Sequence, residues 1–251
     1  MKLLMKSTIA ILGGTGAEGR GLAKRFVQAG RPVVLGSRQA ERAQAAAAEM
    51  NAELSSSLAR GAENAEAARS ADLVVLTIPF VGMAEAVKPL TADLSGKPLI
   101  STVVPLEFVR GVARLLQVAE GSAAQQLQAL LPDTRVMGAF HHLSSQTLAD
   151  LSQPVDADVL VCGDDAATKR EVMTLVEELP GARGIDAGPL ASAFYLEAFT
   201  AVLLSINRRY RAHTGLRITH LPERNGPPIV MLSEEKHPSV PGEDSSPAGS
   251  A

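Results

Sequence analysis

The sequence predicts an α/β fold: a doubly wound parallel Rossmann sheet, a small C-terminal α/β domain and a disordered C-terminal tail. Short, nearly continuous apolar segments alternate with segments whose apolar residues recur every three or four positions, as strands and helices do in such sheets. A glycine-rich loop separates the first strand from the first helix, which is its position in dinucleotide-binding domains. The hydrophobic fraction of 46% and the charged fraction of 20% are those of an ordinary folded protein.

The first strand and the first helix frame the glycine-rich loop. Residues 8–12 are a β-rich apolar run, and residues 18–29 place their apolar side chains on one helical face. Gly30 ends this helix, since glycine readily adopts the backbone conformation that follows a last helical turn. A second apolar run at 32–35 completes a predicted βαβ unit.

Further apolar segments extend the predicted sheet. The segment at 72–78 has almost no polar residue, as expected when helices cover both faces of a sheet. We place a domain boundary near residues 150–154. Residues 7–150 would form the dinucleotide-binding domain, residues 151–221 a smaller domain that completes the ligand cavity, and residues 222–251, rich in Pro, Gly and Ser, a disordered tail. The other predicted strands are 98–103, 135–140, 158–162 and 183–186, and the other predicted helices are 39–50, 166–179 and 190–210.

Composition and charge argue against several classes of protein. The net charge of −3 and the absence of Trp provide neither a basic surface nor stacking groups for nucleic acid. No stretch reaches the roughly 20 apolar residues of a membrane span, because Glu197 and Arg208 bound the longest candidate. Cys162 is the one cysteine, so no internal disulfide can form and we expect a cytoplasmic protein.

Each glycine of the loop has a predicted role in binding a dinucleotide. Gly14 permits the tight turn out of the strand, Gly16 lets a diphosphate approach the backbone, and Gly19 lets the helix pack against the strand. The helix that follows directs free N–H groups and the positive end of its dipole at the diphosphate. An ordinary glycine-rich turn is the alternative, and the strand–loop–helix context favours the binding site.

The end of the second strand predicts NADP rather than NAD as the dinucleotide. NAD-binding domains place an acidic residue here to bind the ribose 2′-hydroxyl, whereas this chain has Ser37 and Arg38, with Arg42 one helical turn later. A hydroxyl and two guanidinium groups suit a 2′-phosphate, and Arg38 can also stack on the adenine. The alternative is that both arginines are solvated, and Glu41 could pair with either of them.

A series of short motifs resembles a known family. In chain order the motifs are Gly13-Gly-Thr-Gly, Gly36-Ser-Arg, Leu76-Thr-Ile-Pro, Val103-Val-Pro, Val161-Cys-Gly-Asp-Asp and Asp186-Ala-Gly-Pro-Leu. From about residue 8 to residue 221 the chain is similar to the NADPH-dependent reductases of the 8-hydroxy-5-deazaflavin known as coenzyme F420. The resemblance implies an oxidoreductase that transfers hydride between NADP(H) and coenzyme F420, binds both small molecules side by side, and forms a homodimer.

The resemblance also implies which residues bind the two cofactors. His141 and Leu143 would lie where the two rings face each other, with His141 positioning a ring rather than exchanging a proton. Hydride transfer needs little beyond two well-placed rings, because the cofactors carry the chemistry. A metal site is not expected, since adjacent His141 and His142 alternate faces and no third ligand is suitably spaced. The cofactor-binding residues would be Gly14, Thr15, Gly16, Ala17, Glu18, Gly19, Ser37, Arg38 and Arg42 for the phosphates, and Ile78, Val104 and Ser145 for the nicotinamide.

Other interpretations stay open from sequence alone. One alternative is an NADP-dependent imine or carbonyl reductase, which would need a protein acid near the nicotinamide; another is a non-catalytic NADP(H)-sensing protein. Asp164 or Asp165 is expected to cap the next helix rather than to form a catalytic pair. The apolar helix from Leu196 to Ile206 is a candidate dimer interface. Four arginines follow or end that helix, where they suit either the anionic tail of a deazaflavin or solvent: Arg208, Arg209, Arg211 and Arg217.

Overall fold

The computed structural model describes residues 6–221, and these residues form ten β-strands and nine α-helices. The predicted disordered tail, residues 222–251, lies outside the described residues. The strands are β1 (Ile9–Leu12), β2 (Val33–Ser37), β3 (Ala59–Glu63), β4 (Leu73–Leu76), β5 (Pro98–Ser101), β6 (Leu106–Val109), β7 (Val112–Leu115), β8 (Arg135–Gly138), β9 (Ala157–Gly163) and β10 (Ala182–Asp186). The helices are α1 (Ala17–Gln28), α2 (Ala40–Glu53), α3 (Asn64–Ser70), α4 (Met83–Val87), α5 (Thr91–Leu94), α6 (Ala123–Leu130), α7 (Ser145–Ala149), α8 (Ala166–Glu177) and α9 (Ala193–Tyr210).

Eight of these strands form one sheet in the order β10-β9-β8-β5-β4-β1-β2-β3. The six strands from β8 to β3 in that order run parallel, which confirms the doubly wound α/β fold expected from the sequence. In contrast, β9 is antiparallel to β8, and β10 follows β9 in parallel. The segment between β8 and β9 contains only the five-residue α7. Strand β9 therefore begins near the end of β8 and runs back alongside it in the opposite direction.

The sheet is continuous across the boundary expected at residues 150–154. Residues 137 and 138 of β8 pair with residues 163 and 162 of β9, and the described residues up to Arg217 belong to one compact unit. The expected boundary falls between α7 and β9, inside that unit. The separate roles expected for residues 7–150, which would bind the dinucleotide, and for residues 151–221, which would complete the cavity, therefore stay predictions.

The core consists of two apolar layers, one on each face of the sheet. Ile9 and Ile11 of β1 pack with Phe26 of α1 in one layer, and Ala10 and Leu12 pack with the alanines of α3 in the other. Burial on both faces explains why the sequences of the central strands are continuous apolar runs. Strand β3 and the β6–β7 hairpin were missed from sequence because each is partly exposed and interrupted by charged residues.

The last helix corrects the expectation that no segment is long enough to cross a membrane. A 3₁₀ turn leads directly into α9, so 21 residues from Leu190 to Tyr210 are helical, with a mean hydropathy of 1.4 in an 18-residue window. By length and composition alone this helix could span a bilayer. In this fold its Glu197 is 1% exposed, and the carboxylate accepts the backbone N–H groups of Ala123 and Ala124 at 2.9 and 3.0 Å. A buried carboxylate, whose pKa burial raises to about 7, thus joins α9 to the start of α6.

Candidate functional site

The glycine-rich loop turns from β1 into α1 at the carboxyl edge of the sheet. Gly13 has the left-handed backbone conformation of this turn, with φ +82°. Gly14 is required for a different reason: a Cβ at this position would lie 2.7 Å from the carbonyl oxygen of Ile11. A Cβ at Gly19 would lie 2.7 Å from Thr77 Oγ1. Glycine at this position therefore lets α1 pack closely against the segment after β4 as well as against Gly13 and Gly14 at the end of β1, where the sequence predicts the contact.

The N-terminus of α1 is open to an anion. No side chain caps the helix, so its first N–H groups remain available. A Cβ at Gly16 would meet nothing closer than the carbonyl oxygen of Gly13 at 3.4 Å, and Gly16 and Ala17 are exposed, with Thr15 half-buried. Free N–H groups and the helix dipole converge at this point, and together they suit a diphosphate.

The predicted 2′-phosphate residues lie at the carboxyl end of β2. Ser37 is buried and its Oγ accepts a hydrogen bond from the N–H of Gln39 at 3.2 Å. Arg38 and Arg42 are exposed, and within residues 6–221 neither makes an ion pair with Glu41 or with another residue. The pairing with Glu41 that the sequence left open is not formed, so both guanidinium groups are available to a ligand.

A cavity of about 800 Å³ opens beyond the carboxyl ends of β4, β5 and β8. Its volume is within the range of about 300–1,000 Å³ that is typical of small-molecule sites. Its position at the carboxyl edge is where open α/β sheets bind ligands. Six predicted site residues line it: Glu18, Ile78, Val104, His141, Leu143 and Ser145. The other predicted residues, on the glycine loop and at the end of β2, lie outside this cavity.

His141 enters the cavity because the chain bends sharply before it. Phe140 has φ +66°, an unfavourable conformation for a bulky residue, and it is held by edge-on packing against Phe26 with ring centroids 6.2 Å apart. His141 is 7% exposed, and neither ring nitrogen has a partner among residues 6–221. Burial, with a smaller contribution from His142, lowers the pKa of His141 to about 3. The neutral ring therefore offers one donor and one acceptor to a ligand.

His142 joins the two walls of the cavity instead of serving the ligand. Its Nε2–H donates to the carbonyl oxygen of Leu196 at 2.8 Å, and its ring packs edge-on against Phe199 at 5.4 Å. Thr200 Oγ1 donates to the carbonyl oxygen of His141 at 3.2 Å. These contacts hold the segment after β8 against α9.

Three features make the site suitable for a dinucleotide whose ring enters the cavity. The N-terminus of α1 is uncapped, Gly16 leaves its outer face open, and the buried nitrogens of His141 lack partners. Buried polar atoms are nearly always hydrogen-bonded in proteins, so the imidazole indicates a ligand group in this position. The donor set of Ser37, Arg38 and Arg42 adds a place for a phosphate outside the cavity.

Comparison with known proteins decides the family. Residues 8–105 match the model of the family described as NADP oxidoreductase, coenzyme F420-dependent. The F420-dependent NADP reductase of Methanocaldococcus jannaschii is 38% identical over 220 residues, which are 85% of this chain and 98% of that protein. The chain belongs to the family of F420-dependent NADP reductases.

Other similar proteins extend the match over the same length. The F420-dependent NADP reductase of Methanothermobacter marburgensis is 38% identical over 222 residues, which are 86% of this chain and 99% of that protein. The crystal structure of a putative F420-dependent NADP reductase from Arthrobacter sp. FB24 has a TM-score of 0.74 and 28% identity, covering 85% of this chain and 99% of that one. Family membership confirms the resemblance seen in the motifs, and the likeness includes β9, β10 and α9.

One wall of the cavity is formed by α9, which the sequence motifs do not indicate. Thr200, Leu203, Leu204 and Asn207 of α9 line the cavity, and residues 211–214 continue the wall. Their spacing of three, one and three residues places them on one helical face. This spacing is the signal in the sequence for a cavity-lining face, whereas the expectation for residues 151–221 is that the domain completes the cavity, with Leu196 to Ile206 as a dimer interface.

The arginines at the end of α9 separate into different roles. Arg208 donates to the carbonyl oxygen of Gly111 in the β6–β7 hairpin, and Arg217 pairs with Asp156 and Asp158. Arg211 lies at the cavity, beside His213. Arg208 and Arg217 therefore stabilise the fold, and Arg209 is exposed and does not line the cavity. Arg211 is the one of the four placed to meet an anionic ligand group.

The two aspartates of the Gly-Asp-Asp motif are structural. Asp165 Oδ1 accepts the N–H of Thr168 at 2.7 Å and caps α8, as expected. Asp164 Oδ1 accepts the N–H of Leu190 at 2.8 Å, which fixes the start of the Leu190–Ser192 turn. Among residues 6–221, no group of three or more His, Cys, Asp or Glu side chains is placed to hold a metal ion.

Proposed function

We propose that this member of the F420-dependent NADP reductase family transfers hydride between NADP(H) and coenzyme F420. The observation that carries the proposal is the cavity that begins at the glycine loop and ends at α9, with a buried, unpartnered His141 between the two. The names of the similar proteins give the same pair of substrates. When bound, the nicotinamide exchanges a hydride at C4 and the deazaflavin at C5.

The glycine loop and the end of β2 would hold the phosphates of NADP(H). The uncapped N–H groups of Ala17, Glu18 and Gly19 in the first turn of α1 would bind the diphosphate, and no Cβ of Gly16 obstructs it. Ser37, Arg38 and Arg42 bind the 2′-phosphate through charge-assisted hydrogen bonds. These contacts fix the dinucleotide so that its nicotinamide enters the cavity.

The cavity would hold the two rings against each other and exclude water. Ile78, Val104 and Leu143 provide apolar walls, and Ser145 and the neutral His141 provide hydrogen bonds. Orientation of two reactants can lower a barrier by roughly 7–11 kcal/mol, which suffices without a protein acid. The pKa of His141 near 3 agrees with a positioning role, since the ring carries no spare proton at neutral pH.

Mixing the full chain with NADPH and oxidised coenzyme F420 should bleach the visible absorption of the deazaflavin. NADH in place of NADPH, and riboflavin in place of the deazaflavin, are the controls and should react far more slowly. NADPH binding without bleaching would overturn the proposal and direct attention to imine substrates or to a sensing role.

Replacement of His141 by Ala in the same assay distinguishes the two enzymatic interpretations. A positioning role predicts a loss of about tenfold in kcat/KM, since one or two neutral hydrogen bonds contribute about 0.5–1.5 kcal/mol each. His141→Asn should recover part of the loss because an amide also donates and accepts. Complete loss in both variants would instead indicate an acid needed for an imine or carbonyl.

We also propose that the enzyme is a homodimer and that α9 contributes to its interface. Tyr195 of α9 is 71% exposed and Phe108 of the neighbouring hairpin 66%, with Phe194, Val112 and Val202 also exposed. Such apolar surface usually marks an interface. Sedimentation velocity should give twice the mass of the chain for the wild type and a monomer for Val202→Glu. A monomeric wild type would contradict the proposal.

The compartment that we propose is the cytoplasm. Support comes from cysteine usage, because a chain with one cysteine, Cys162, forms no internal disulfide and is typical of reducing compartments.

A further inference from the structure

The glycine loop directs one carboxyl group into the ring cavity. Of residues 13–19, all of which the structure describes, only Glu18 lines the cavity. The neighbouring walls are formed by Thr77, Ile78, His141 and Ser145. Glu18 therefore faces the cavity proposed for the rings, whereas the uncapped N–H groups of α1 are those proposed to bind the diphosphate.

No contact within the protein accounts for this carboxyl group. Neither a hydrogen bond nor an ion pair joins the Glu18 side chain to another residue of the described part of the chain. Glu18 lies in the first turn of α1, where the helix dipole favours a negative charge. Glu18 is half-buried, and the loss of solvent around its carboxyl group raises its pKa to about 8, so that most of the group is protonated at neutral pH.

Desolvation is the cause of the raised pKa of Glu18, and no charged group contributes to the shift. The wall segments that follow β4 and β5, and α7 itself, contribute no ionisable residue to the cavity. On α1, Arg20 and Lys24 are already paired with Glu49 and Glu53 of α2 at 2.6 Å each. The ionisable groups that face the same cavity are His141, His142, Arg211 and His213.

The ligand of this cavity changes charge in the proposed reaction, because the nicotinamide ring is cationic in NADP⁺ and neutral in NADPH. We infer that Glu18 is the residue through which the site distinguishes the two oxidation states, as a carboxylate beside the ring of NADP⁺ and as a neutral carboxyl group beside the ring of NADPH. The inference rests on the proposed binding of NADP(H). Binding of NADP⁺ then releases a proton to the solvent, and binding of NADPH does not.

The direction of the pH dependence follows from the charge of the ring. A cation favours the ionised carboxyl group, so the pKa of Glu18 in the NADP⁺ complex falls below its value of about 8 in the free protein. Affinity for NADP⁺ consequently rises with pH until about pH 8 and is constant above it. The 2′-phosphate is common to both nucleotides, so its own titration cancels in the ratio of their dissociation constants.

Isothermal titration calorimetry of the full chain with NADP⁺ and with NADPH tests the inference at pH values from about 6 to 9. Two buffers of different ionisation enthalpy give the number of protons released. For the wild type, Kd for NADP⁺ relative to Kd for NADPH should fall about tenfold over this range, a difference of about 1.4 kcal/mol. About 0.4 of a proton should be released when NADP⁺ binds at pH 7, because a tenfold change corresponds to a fall of one unit in the pKa of Glu18.

Glu18→Gln is the informative variant, and Glu171→Gln is its matched control. Glutamine cannot ionise, so the ratio should be independent of pH and no proton should be released. Glu171→Gln removes the same charge from an exposed residue of α8 and leaves the ion pairs of α1 intact, so it should behave as the wild type does.

Two results would overturn the inference: a wild-type ratio that is constant with pH, or a Glu18→Gln variant that retains the pH dependence and the released proton. The wild-type titration is decisive by itself if the variant fails to fold. Failure of the proposed function looks different, since NADP(H) would then not bind at all, or would bind normally while the deazaflavin is not bleached.

Discussion

Replacement of Arg38 by Asp is expected to reverse the preference of the enzyme from NADPH to NADH. The guanidinium group stands at the carboxyl end of β2, is exposed and has no ion pair among residues 6–221. Loss of one charge-assisted hydrogen bond costs about 1.5–3 kcal/mol. The new carboxylate repels a 2′-phosphate and can accept a hydrogen bond from the 2′-hydroxyl of NADH. The ratio of kcat/KM for NADPH to kcat/KM for NADH should therefore fall by at least about a hundredfold, since 1.4 kcal/mol is tenfold.

Steady-state kinetics with both nucleotides measure this ratio. Arg170→Asp, which makes the same change of charge on the exposed surface of α8, should leave the ratio unchanged. Arg42→Ala should produce a smaller shift than Arg38→Asp because it removes one cation without adding a carboxylate that repels the 2′-phosphate. An unchanged ratio in Arg38→Asp would show that the 2′-phosphate binds elsewhere.

The parts of the site that are local in sequence could be predicted from it. The open face of Gly16 and the close packing at Gly19 follow from one strand–loop–helix segment, and the positions of Arg38 and Arg42 follow directly from the end of β2. Such features need only the chain within about 25 residues, and their backbone requirements are specific. The exposed state of Arg38 and the unformed pair with Glu41 were the details that required coordinates.

The parts that depend on distant contacts could not be predicted. Glu197 fixes the rotation of α9 and hence the face that lines the cavity. Its carboxylate accepts hydrogen bonds from the start of α6, more than seventy residues earlier in the chain. The reversal of β9 depends on pairing with β8, which apolar runs do not specify, since parallel and antiparallel strands share the same pattern here. The direction of the Glu18 side chain likewise depends on the wall built by other segments.

Replacement of Arg25 by Met should lower the free energy of unfolding more than any other substitution proposed for this protein. Arg25 is 1% exposed and donates to the carbonyl oxygens of Leu148 at 3.0 Å, Thr147 at 2.7 Å, Asp150 at 2.6 Å and Gln153 at 3.0 Å. It therefore satisfies the carbonyl groups at the end of α7, which no longer have helical partners. Methionine would fill similar space but leave these carbonyl oxygens without donors.

We expect the free energy of unfolding to fall by about 3–5 kcal/mol, which is typical when one side of a buried polar network is removed. Chemical denaturation gives this value, and Tm should fall by about 10 °C, because 1 kcal/mol corresponds to about 2–4 °C at this chain length. Arg31→Met, which removes a half-buried arginine paired with Glu178 at 2.6 Å, is the matched control and should cost much less. Since α7 supplies Ser145 to the cavity, Arg25→Met should also weaken NADPH binding in the fraction that remains folded. A loss below about 1 kcal/mol would mean that water replaces the guanidinium group at these carbonyl oxygens.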